Sequence, residues 1–72
     1  MSSKYPVLTP REVERILLKA GFSFISQKGS HKKYSDGIHT TIVPNHDVIY
    51  IGTLRKIIQQ SGMSFDTFIS YR

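Results

Sequence analysis

The sequence predicts an α+β domain. A helix, a three-stranded antiparallel sheet and a second helix follow in order, with a short C-terminal helix after them. Two segments, 10–20 and 54–60, carry apolar residues at helical spacing. The stretch between them is rich in alternating and β-branched residues, and Gly29-Ser30 and Asp36-Gly37 interrupt it. At 72 residues there is room for one domain, so both helices must cover one face of the same sheet.

Residues 1–8 read as a loose lead-in, and 9–72 as the single domain. Thr9 is a good N-cap, Pro10 suits the first helical position, and Glu12 completes a capping box. Val13, Ile16, Leu17 and Ala20 form one apolar stripe, opposite Arg11, Arg15 and Lys19. Gly21 ends the helix, with Phe22 folding back as its apolar contact. Phe22 to Lys28 reads as a strand with Phe22, Phe24 and Ser26 on one side. Gly29-Ser30 turns the chain into a more polar strand, His31 to Ser35. Asp36-Gly37 is a hairpin signal, and Ile38 to Val43 is the third strand. Val48 to Ile51 fits a buried connector or a short strand equally well. Thr53 is read as the cap of the second helix, whose stripe is Leu54, Ile57 and Ile58. Gly62 ends it, and Ser64 caps a last turn that packs Phe65, Phe68 and Ile69 inward. The order α-β-β-β-α is that of the double-stranded-RNA-binding fold, which does not itself fix a function.

Ten Lys/Arg against five Asp/Glu give a net charge of +5 and favour a polyanionic partner. A chain this short buries only about 60% of its unfolded surface, so any active site must be shallow. Without cysteine, disulfides and thiolate zinc sites are excluded. No apolar run reaches the ~18 residues of a membrane span, and Met1 to Pro6 lacks a secretory core. A cytoplasmic protein with no membrane partner is the expectation.

The chemistry concentrates at Gly29-Ser30-His31, among Lys28, Lys32 and Lys33. Imidazole as a group titrates near neutrality, and ammonium groups stabilise charge on phosphoryl oxygens. Backbone N–H groups at Gly29-Ser30 suit a small anion nest, and the Ser30 hydroxyl adds a donor. A solvated His in a basic hairpin is the ordinary alternative. His46, in Pro44-Asn45-His46-Asp47, is a secondary candidate: a catalytic acid, an RNA contact, or a ring that hydrogen-bonds its own turn. His39 reads as a solvated strand residue, and Tyr34 as the aromatic best placed for exposure. Arg11, Arg15, Arg55 and Lys56 are further possible phosphate contacts. The spacing His31-x7-His39-x6-His46 matches no familiar metal motif, and no carboxylate pair suits Mg²⁺. No cofactor is expected.

These pieces together resemble the HicA family of toxin ribonucleases. The resemblance is carried by Gly21-Phe22, Gln27-Lys28-Gly29-Ser30-His31, Val43-Pro44-Asn45-His46, Gly52-Thr53-Leu54-Arg55-Lys56-Ile57-Ile58 and Ser61-Gly62-Met63-Ser64. One departure is Val48-Ile49-Tyr50-Ile51, where such proteins often carry a more polar stretch. The resemblance implies a small cytoplasmic endoribonuclease that cleaves messenger RNA; from the chemistry of the His-Lys cluster, DNA is expected to be left intact. It implies a catalytic His at His31 and neutralisation by a HicB-type antitoxin. A non-catalytic module that binds duplex RNA is the competing expectation.

Overall fold

A computed structural model describes residues 5–72; the first half of the lead-in, residues 1–4, lies outside the described residues. The elements are α1 (Pro10–Lys19), β1 (Ser23–Lys28), β2 (His31–Ser35), β3 (Thr40–Pro44), α2 (Ile51–Ser61) and α3 (Phe65–Ser70). The strands form one open antiparallel sheet in the order β1-β2-β3. This is the α+β architecture expected, with the short third helix in place.

Local chemistry sets the helix ends. The Glu12 backbone N–H donates to Thr9 Oγ1 at 3.1 Å, and the Thr9 N–H donates to the Glu12 carboxylate at 2.9 Å. The Thr9 backbone donor is the main reason the Glu12 carboxyl lies below its ordinary range. At the other end of α1, Phe22 N–H reaches Leu17 O at 2.9 Å and Gly21 N–H reaches Leu18 O at 3.2 Å. That pair of bonds satisfies two carbonyls left over by the last turn. Ser64 caps α3 by accepting from Thr67 N–H at 3.1 Å. The second helix starts earlier than Thr53: Tyr50 is its N-cap and makes no side-chain capping bond. Helical winding begins once the chain leaves Ile49, which is pinned to Leu8 by bonds of 2.6 and 3.3 Å. The 48–51 stretch thus resolves into one β-bridge and the first turn of α2.

The core lies between the helices and strands β2 and β3. Val13, Ile16 and Leu17 of α1 meet Leu54, Ile57 and Ile58 of α2, with Val43 and Phe68. Leu8 is fully buried in this cluster, so the part of the lead-in next to α1 is structural rather than loose. Tyr34 is also buried, at 4% exposure, because its position faces the helices. Burial, then the neighbouring Glu14 carboxylate, raises its hydroxyl pKa. β1 lies at the sheet edge and is exposed along its whole length, with Phe24 edge-on to Tyr34 at 5.8 Å.

His39 falls in the β2–β3 loop rather than in β3, which begins at Thr40. Asp36 Oδ1 accepts from the N–H groups of His39 and Ile38, at 2.6 and 2.9 Å, which closes this loop. Those two donors, His39 first, hold the Asp36 carboxyl below its ordinary range. The His39 ring lies against Gly62, the C-cap of α2 at φ +76°. A Cβ there would run into the ring and would also require a left-handed backbone, so both reasons favour glycine.

Candidate functional site

The position of Lys28 depends on a β-bulge. The pairing runs Phe24↔Tyr34 and then Ser26↔Lys33, so Ile25 is the extra residue. A bulge re-aims every side chain beyond it. Strict alternation would keep Phe24, Ser26 and Lys28 on one face. Instead Phe24 shares a face with Tyr34, while Ser26 and Lys28 pair with Lys33 and His31. The third strand continues both rows, with Pro44 opposite His31 and Ile42 opposite Lys33.

The result is a shallow groove of about 550 Å³ on the open face of the sheet, lined by Ser26, Lys28, His31, Lys33 and Ile42. Two ammonium groups and one imidazole thus share a surface with a small hydroxyl and an apolar floor. Ser26 and Ile42 were not among the residues singled out from sequence. Only the shifted cross-strand register places them there.

The turn that presents His31 has two central residues. Gly29 has φ +60° and Ser30 does not have positive φ, the pattern of a type II′ turn with glycine first. Nothing lies within 4 Å of where a Gly29 Cβ would stand, so glycine is needed for its backbone angle. Gln27 Nε2 donates to Gly29 O at 2.8 Å, and Asn45 N–H donates to Ser30 O at 2.6 Å. The second bond straps the 45–48 loop to the turn, and the Leu8–Ile49 bridge holds its far end. His46 is thereby held beside His31, with ring centroids 6.3 Å apart at an interplanar angle of 79°. Both rings belong to exposed residues.

Lys32 does not join this group. It pairs across the sheet with Val43, a core residue, and its Nζ lies 3.5 Å from Glu14 of α1. It therefore faces the helices, although its neighbours Lys33 and His31 face solvent. The Glu14 Oε2 atom is buried and has no hydrogen bond, so the Lys32 charge is its compensation. Lys32→Ala should cost about 1–3 kcal/mol, because it leaves a carboxylate oxygen buried and unpaired. Glu14→Gln in the same background should restore part of that loss in a thermal melt; an unchanged melt for Lys32→Ala would contradict the pairing.

Among the described residues no group of three or more His, Asp or Glu side chains is gathered to hold a metal ion. No helix among them is long and apolar enough to cross a membrane. No curated protein matches the sequence. Over residues 10–63, however, the chain matches the family described as the HicA toxin of bacterial toxin-antitoxin. That span runs from the first residue of α1 through α2 and contains His31, His46 and the groove cations. The chain therefore belongs to the HicA toxin family of bacterial toxin–antitoxin systems.

Proposed function

We propose that this toxin is an endoribonuclease that cleaves messenger RNA by acid–base chemistry centred on His31. The observation that supports this most strongly is that His31, which shares the groove with Lys28 and Lys33, has the His46 ring 6.3 Å from its own. RNA carries its own nucleophile. His31 takes the proton of a 2′-OH as that oxygen attacks the adjacent phosphorus. The bond to the 5′-oxygen breaks, and His46 gives that oxygen a proton. Attack and departure lie on opposite sides of phosphorus, so base and acid must stand apart as these rings do. Lys28 and Lys33 stabilise the charge that builds on the phosphoryl oxygens, with the Gly29 and Ser30 N–H groups and the Ser30 hydroxyl as further donors. Lys32 contributes by holding Glu14 and the helix layer. No step calls for a metal, and DNA, lacking the 2′-OH, is not a substrate.

The setting is the cytoplasm, where messenger RNA is met. A HicB-type antitoxin restrains the enzyme by covering the groove, and part of its contact surface is acidic to match the +5 charge.

Purified toxin should cleave RNA in EDTA and leave 2′,3′-cyclic phosphate and 5′-hydroxyl ends. DNA of the same sequence should survive. Cleavage that stops in EDTA and returns with Mg²⁺ would refute this chemistry.

A further inference from the structure

We propose that the RNA track does not end at the His31 groove but continues over the edge of β3 onto α2, where Lys56 holds the strand on the far side of the scissile phosphate. This inference rests on the ribonuclease reading and adds a second binding half to it. A second groove, of about 310 Å³, adjoins the first, and the two share His31 and Ile42 as lining residues. Beyond them its walls are Pro44 on β3 and Thr53, Lys56 and Gln60 on α2.

An internal phosphodiester has a nucleotide on either side of it, so a site that cleaves one needs binding surface in both directions. His31 stands at the junction of the two grooves. Lys28 and Lys33 lie on one side of it and Lys56 on the other. Gln60 is fixed in orientation, because its Oε1 accepts from Thr41 Oγ1 at 2.9 Å and from Ile42 N–H at 3.3 Å. A backbone N–H can only donate, so the carboxamide oxygen points to β3 and the NH₂ group is left to donate to a ligand. Lys56 is exposed on α2 and makes no ion pair among the described residues.

The track suits a single strand. Its cations flank an apolar floor of Ile42 and Pro44, which can meet bases only if they are unpaired and turned toward the protein. A duplex shows its phosphates and keeps its bases inside.

The test uses a short single-stranded oligoribonucleotide, the same strand fully paired, and a 2′-O-methyl copy that resists cleavage. Lys56→Ala is compared with wild type and with Lys19→Ala, which removes the same charge from α1, away from both grooves. Lys56→Ala should raise KM roughly fivefold, as for one exposed charge contact, with kcat within about twofold. Its binding to the 2′-O-methyl strand should weaken equally, and the log–log salt slope should shrink by about 0.7. Lys19→Ala should match wild type, and the paired strand should be cleaved poorly. Binding by Lys56→Ala equal to wild type overturns the track, as does equal cleavage of the paired strand. If wild type binds the 2′-O-methyl strand through Lys56 but cleaves no RNA, the ribonuclease reading falls and the track stands.

Discussion

His31→Ala should lower RNA cleavage by roughly 10²–10⁴, the usual contribution of a positioned acid or base. Its stability should change by less than about 1 kcal/mol. The ring is exposed on the open face of the sheet and takes no part in the core. Its backbone belongs to the strand ladder, opposite Lys28 and Pro44, and alanine keeps those bonds. A large loss of activity with an unchanged melt separates chemistry from folding. Cleavage that persists undiminished would remove His31 from the mechanism.

The second large effect concerns stability. Leu8→Ala should cost about 2–5 kcal/mol, the range for a fully buried leucine. A 72-residue domain holds only about 4–10 kcal/mol in total, so the variant should melt at least ~10 °C lower. Val7→Ala is the control: Val7 is 56% exposed, and its truncation should shift the melt little. Leu8 also bridges Ile49, three residues beyond His46. Loosening that bridge should therefore reduce cleavage under conditions where the variant is still folded. A melt within about 3 °C of wild type would mean that the segment before α1 is as loose as its composition suggests.

Features that depend on neighbours in sequence were legible; features that depend on partners across the fold were not. The Thr9–Glu12 capping box, the Ser64 cap and the limits of β2 are set within a few residues, and the structure has them as read. The fold order followed from the two helical stripes and the turn signals. Leu8 was missed because one apolar residue before a cap carries no periodicity, and its burial comes from Ile49, far along the chain. The Ile25 bulge was missed because an extra residue in a strand leaves no mark on a pattern of Phe, Ile and Ser. It moved Ser26 off the face that was read for it beside Phe24. Tyr34 looked exposed among Lys33 and Ser35, yet alternation in β2 turns it inward beside Lys32. The same alternation separates Lys32 from Lys33, which a run of two lysines cannot show. Of the site, the Lys28-to-Lys33 hairpin was visible as a motif. The approach of His46 needed the Asn45–Ser30 hydrogen bond, a contact between backbone atoms.

If His31 and His46 share one cleavage step, the pH dependence of single-turnover cleavage shows it. Wild type should give a bell: His31 must be unprotonated to accept a proton, and His46 protonated to donate one. In His46→Ala the slower residual rate should still rise as pH increases but should no longer fall on the alkaline side. A bell of unchanged shape in His46→Ala would rule His46 out, because the proton donor would then be some other group.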